Sequence, residues 1–110
     1  MFAKVKEIEN RYTELESQLS RPEIIQDQKV YQQFAKEHSQ LSPIVETFRE
    51  HESVQQEIAG NKSLLNDPDL EMRKLAREEI DKLDTRLREL EHHLKRLLLP
   101  KDPIDEKNIL

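Results

Sequence analysis

The chain has 110 residues, 37% charged and 35% hydrophobic, with a single glycine and neither cysteine nor tryptophan. Its 18 Lys and Arg stand against 23 Asp and Glu, and a net charge of −5 does not suit indiscriminate nucleic-acid binding, which needs clustered positive charge. Disulfide and thiolate chemistry are excluded, a phosphate-cradling loop lacks its glycines, and no apolar run approaches the ~20 residues that cross a bilayer.

No signal-peptide pattern is present, since charges interrupt residues 1–20 every two or three positions. The composition points to one soluble, cytoplasmic domain of long helices or coiled coil. The first helix is expected over residues 2–20. Val5, Ile8, Tyr12, Leu15 and Leu19 recur at 3,4 spacing, Phe2 extends the stripe, and Glu7–Arg11 is an i,i+4 ion pair on the wet side. Pro22 ends this helix by disfavouring helical backbone at Arg21. A short connection follows at 21–26, with Ile24 and Ile25 tucked under the helices as a plug.

Asp27 is placed to cap a second helix whose stripe takes in Val30, Phe34, Leu41, Val45, Phe48, Ile58 and Leu65. His38 and His51 fall at boundary positions of that stripe, where a partly buried packing role is expected. Pro43 would cost a helix interior one hydrogen bond and a clash, whereas Ser42 as N-cap would put Pro43 at a first helical position. A kink or a one-turn break is therefore expected near residues 39–43, with the apolar face in phase across it, which favours one bent element. Asn66-Asp67-Pro68-Asp69 closes the element and opens a third, with Asp67 as N-cap and Pro68 as first residue. Met72, Ala76, Ile80, Leu83, Leu87, Leu90, Leu94 and Leu97 then form an unbroken stripe up to Leu99. Glu78–Lys82, Asp84–Arg88 and Glu91–Lys95 are spaced to pair along its wet face. Short connections make neighbours antiparallel, so the expected fold is all-α: an elongated, coiled-coil-like bundle of three long helices over residues 1–100. Residues 101–110 lack periodicity and read as a linker.

Few side chains suggest chemistry. His92 and His93 are adjacent, with Glu89 four residues before His93, but neighbouring helical residues point about 100° apart and cannot easily share a metal. They read as solvated histidines. Glu78-Glu79 could suggest acid–base catalysis, yet a thin bundle offers no desolvated pocket to separate two carboxyl pKa values. Arg73, Lys74 and Arg77 form the one local basic patch of interest, beside the turn at Gly60–Asp69. That patch is either a contact for RNA phosphate or an acidic protein, or an ordinary solvated face.

The segment LLLPKDPIDEKN at Leu97–Asn108 is not explained by periodicity. Together with LLNDP at residues 64–68, SQLSPIVE at 39–46, the Asp27-Gln28 helix start and a first helix from Met1, it resembles the bacterial type-1 peptide chain release factors over essentially the whole chain. Type-2 factors have a different segment in place of Leu98–Asn108. The resemblance implies the helical N-terminal domain of a factor that recognises UAA and UAG in the ribosomal decoding site and triggers peptidyl-tRNA hydrolysis. It further implies that this piece projects toward the stalk base of the large subunit and helps orient the factor on the ribosome. On electrostatic grounds alone, Arg73, Lys74 and Arg77, the least negative face of an acidic chain, are the candidate contact. In that family a Gly-Gly-Gln loop and a Pro-x-Thr motif do the chemistry and the codon reading. Gly60 is the single glycine here and no Pro is followed two residues later by Thr, so neither role carries over to any position. The expectation is a non-catalytic fragment, lacking a central domain, with no cofactor, small-molecule ligand or membrane partner. Weak self-association through Ile24, Ile25, Leu98 and Leu99 is also expected. The rival reading is a free-standing coiled-coil adaptor or oligomerisation domain, dimerising through Leu83–Leu97.

Overall fold

The computed structural model describes residues 2–99, which form α1 (Phe2–Leu19), α2 (Pro22–Gln26), α3 (Gln28–Leu64) and α4 (Leu70–Leu98), with no strand among the described residues. The all-α, elongated antiparallel architecture is as expected. The linker at 101–110 lies outside the described residues.

Local chemistry sets most boundaries. Asp27 caps α3, its side chain accepting from the Val30 amide at 3.3 Å. The connection at 21–26 is itself a short helix, because Pro22 at its first position is pre-organised for helical backbone. Ile24 is half-buried, but Ile25 is exposed, so the expected plug is only partly formed. The third long helix begins two residues later than the cap at Asp67 would place it. Asp69 is the N-cap and accepts from the Glu71 amide at 3.0 Å, while Asp67 accepts from the Asp69 amide at 2.9 Å and Pro68 stays in the turn. Two capping residues flank one proline, and the second wins.

Pro43 does not break α3, which runs through residues 39–43 for a total of 37 residues, about 55 Å at helical rise. Ser42 is no cap, since its hydroxyl donates to Glu46 Oε1 at 3.1 Å. Pro43 leaves the Ser39 carbonyl without its i+4 amide, but both residues are exposed, where water satisfies that oxygen. Half-buried Leu41 and Ile44 and buried Val45 and Phe48 hold the helix on either side of the proline. Packing of the shared face overrides the local penalty.

α3 is the spine. α1 and α4 each pack antiparallel on it and have no close backbone approach to one another. Contacts with α1 run along α3 from Phe34, under the Arg11 guanidinium, to Glu52, opposite Lys6. Contacts with α4 run from Ile44, which packs with Leu98, to Ile58, which packs with Leu83. The three helices therefore overlap only in the middle, where Val5, Phe48 and Leu94 form one buried cluster. Beyond it lie two-helix arms. One joins α3 to α1 and α2, and the other joins α3 to α4 around Val54, Ile58, Leu83 and Leu90. Serving two partners widens the buried arc of α3 to include Thr47, His51 and Val54 beside the expected stripe. His51, expected to be partly buried, is only 2% exposed. Its Nε2 lies 3.2 Å from Glu91 Oε1 and its ring centroid 5.2 Å from that of Phe2, so one imidazole touches both flanking helices.

This layout separates the residues expected to associate. Ile24 and Ile25 sit on α2 at the start of α3, whereas Leu98 packs near Ile44, about 24 Å further along the helix. The Leu83–Leu94 stripe faces α3 and is not free to dimerise.

The charges that flank the core pair between helices. Arg11 does not take Glu7. Its Nε and Nη2 donate to the two carboxylate oxygens of Glu37 at 2.7 and 2.8 Å. Arg49 donates to Glu9 at 3.1 Å, and Arg86 donates to Glu50. Among the described residues, the expected pairs Glu78–Lys82, Asp84–Arg88 and Glu91–Lys95 are absent. The Arg11 guanidinium holds the Glu37 carboxyl below its ordinary value against a smaller opposing effect of burial. At Glu9 burial pushes the carboxyl up, but hydrogen bonds and charge from Arg49 and Lys6 outweigh it and hold the group low.

Leu94 is fully buried and Leu75 is 60% exposed on the same helix. Leu94→Ala should cost about 2–5 kcal/mol, and Leu75→Ala less than ~0.5 kcal/mol, in urea unfolding. Equal costs would contradict the placement of α4 on α3. Gly60 lies within α3, has no positive φ, and a Cβ there would meet nothing within 4 Å. Gly60→Ala should therefore stabilise the chain by about 0.4–1 kcal/mol, which the same urea experiment measures.

Glu9 and Glu37 have folded-state pKa values below their unfolded ones, so their stabilisation is complete above the ordinary carboxylate range and is lost as pH falls through the depressed values. Glu37→Gln should lower stability at neutral pH by about 0.2–1 kcal/mol, a small effect because the pair is partly exposed. The gap between variant and parent should close as the pH drops below about 4. A gap unchanged at low pH in thermal melts would rule out the Arg11–Glu37 pair as its source.

Candidate interaction site at the helical tip

The free end of the α3–α4 arm is shaped by its caps. Asp67 and Asp69, the carboxylates nearest the turn, accept from backbone amides and are tied down locally. Leu70, Arg73, Lys74 and Arg77 follow at i, i+3, i+4 and i+7, which puts all four on one face of α4. Ala76, 2% exposed, belongs to the neighbouring face that packs inward.

Arg73, Lys74 and Arg77 thus come together as the sequence suggested, lining a groove of about 340 Å³ with Leu65 and Leu70. Lys74 and Arg77 are exposed and Arg73 is half-buried. The Arg73 Nε is enclosed and has no hydrogen-bond acceptor among the described residues. Among those residues none of the three cations forms an ion pair. Arg11, Arg49 and Arg86, by contrast, each hold a carboxylate of another helix.

Leu65 and Leu70 were not foreseen as part of this site. By spacing, Leu65 is the end of the α3 stripe and Leu70 belongs to no stripe. A leucine outside the 72-76-80 repeat and beside three cations was the available signal.

The other candidates carry less. His92 and His93 are both exposed, and no group of three or more His, Cys, Asp or Glu among the described residues could hold a metal ion. Glu78 and Glu79 are exposed on α4. His38 stacks on Tyr12, with ring centroids 4.1 Å apart and planes at 15°, a packing contact between α1 and α3. A larger groove of about 490 Å³ lies between α1 and α3, lined by Phe2, Lys6, Phe48 and His51 among others. Its side chains are engaged with one another: Phe2 packs on Phe48 and His51, and Lys6 sits 5.7 Å from the Phe48 ring centroid. The smaller groove at the tip presents three cations together, none of them ion-paired among the described residues. Among the described residues no helix is long and apolar enough to cross a membrane.

Comparison with known proteins bears on this geometry. The PCRF domain family profile matches residues 8–110. Over all 110 residues the chain is 52% identical to peptide chain release factor 1 of Oleidesulfovibrio alaskensis, 48% to that of Lawsonia intracellularis and 47% to that of Solidesulfovibrio magneticus. In each case it spans 31% of the relative's length. No solved structure gives a significant match. A profile match over residues 8–110, together with about half identity over the whole chain to release factor 1 proteins, leads to one conclusion: the chain belongs to the PCRF domain family.

Proposed function

We propose that this chain serves as the non-catalytic helical N-terminal domain, residues 1–100, of a cytoplasmic class-I release factor. That factor directs translation termination at UAA and UAG, and residues 101–110 lead toward its central domain. The domain docks the factor at the stalk base of the large ribosomal subunit and orients it there. Arg73, Lys74 and Arg77 are the contact. The observation that carries this reading is their arrangement: three cations without ion-pair partners among the described residues, on one face at the tip of a two-helix arm.

The physical reasoning is electrostatic. A chain of net charge −5 approaching an RNA-rich particle is steered by its least negative surface, and a narrow arm reaches a recessed contact that a broad domain cannot. Identity of about half over the full chain to release factor 1 proteins supports the same role. With one glycine, the chain has no Gly-Gly-Gln loop of its own and acts by positioning.

The isolated chain should release no peptide from ribosomes programmed with a stop codon. In the full-length factor, Lys74→Glu with Arg77→Glu should slow association with such ribosomes by about tenfold at low salt, with a smaller effect at high salt. The hydrolysis step, measured by single-turnover peptide release at saturation, should be unchanged. Equal association rates across a salt series would eliminate the tip as the contact.

A further inference from the structure

The tip groove is more than a charged surface. Leu70 is 56% exposed among the three cations, and Leu65 lines the groove from the end of α3. Apolar exposure continues around the same end of α4 with Met72 at 38% and Leu75 at 60%. This end of the arm is built by α3 and α4 alone, so no third helix covers these side chains. Contact with a phosphate backbone gains from charge and hydrogen bonding and gains nothing from exposed leucines.

An apolar spot ringed by cations matches a protein surface of opposite character, an apolar side chain flanked by carboxylates. Arginine suits that role because its planar fork binds a carboxylate through two parallel hydrogen bonds. Arg73 offers a half-buried guanidinium that forms no ion pair among the described residues. We propose that the tip groove receives an acidic amphipathic segment of a partner protein. An apolar side chain of that segment lies against Leu65 and Leu70, and its carboxylates meet Arg73, Lys74 and Arg77. This inference rests on the docking role proposed above and adds the chemistry of the partner.

The test uses the 110-residue chain and three fluorescent probes. They are a short synthetic helix with one Leu face and one Glu face, the same helix with Gln for Glu, and an RNA hairpin, each followed by anisotropy at physiological salt. The acidic helix should bind, and Leu70→Ser and Arg77→Glu should each weaken it about tenfold. Amide shifts on binding should be confined to residues 65–77. The Gln helix and the RNA hairpin should bind at least about tenfold more weakly than the acidic helix. Leu70 and Arg77 are both exposed, so unchanged circular dichroism is expected for the two variants. Tighter binding of the RNA hairpin, weakened by Arg77→Glu and not by Leu70→Ser, would overturn the partner assignment and leave the docking role standing. Arg77→Glu without effect on any probe, or no binding by any probe, would overturn both.

Discussion

One helix serving two partners is the constraint from which the rest of the structure follows. α3 buries a wide arc, with Val45, Phe48, His51, Val54 and Ile58 divided between the α1 and α4 sides, while α1 and α4 have no close backbone approach to each other. Where all three overlap, Val5, Leu94 and Val45 are fully buried, and each such side chain contributes about 1.5–3 kcal/mol relative to exposure. Outside that region each arm is two helices thick. A two-helix arm shields only the facing stripe, so exposed apolar side chains accumulate toward its end.

The same geometry redirects the charges. Same-helix and cross-helix pairs draw on the same residues, and Arg11 and Arg86 make both, holding Glu14 and Glu89 three residues on and Glu37 and Glu50 of α3 across the seam. Arg11 bridges to Glu37 with both ends of its guanidinium fork, which fixes α1 against α3 in rotation as well as distance. Arg86 does the equivalent work between α4 and Glu50 of α3. These pairs run along the seams of the spine and stop short of the α3–α4 tip. Arg73, Lys74 and Arg77 lie beyond the last of these pairs and form none among the described residues.

The tip is thus a by-product of stagger. Had α1 reached the full length of α3, a third helix would flank residues 56–64, and the leucines and cations around Leu70 would have had a partner within the chain. The proposed docking role uses what the fold leaves uncovered at that end, while His51 and the aromatic groove around Phe2 are taken up in holding α1 and α4 to the spine.

The sequence by itself determined the helical class, the number of long helices, the cap at Asp27 and the basic cluster at Arg73–Arg77. Each depends on interactions within a few residues: the 3,4 repeat of apolar side chains, a carboxylate next to free amides, or charges spaced to share one face. Tertiary structure decided what depends on a distant neighbour. Pro43 is carried inside one continuous α3, as the in-phase apolar face favoured, and the packing of Ile44, Val45 and Phe48 decided continuity over a break. Asp69 caps α4 in place of Asp67, whose carboxylate is taken instead by the Asp69 amide within the turn. His51 is buried, and not merely at a boundary, because two helices meet at its ring. Leu65 and Leu70 joined the cationic groove because residues on opposite sides of the turn were brought together, and only the packing of α4 on α3 sets that separation.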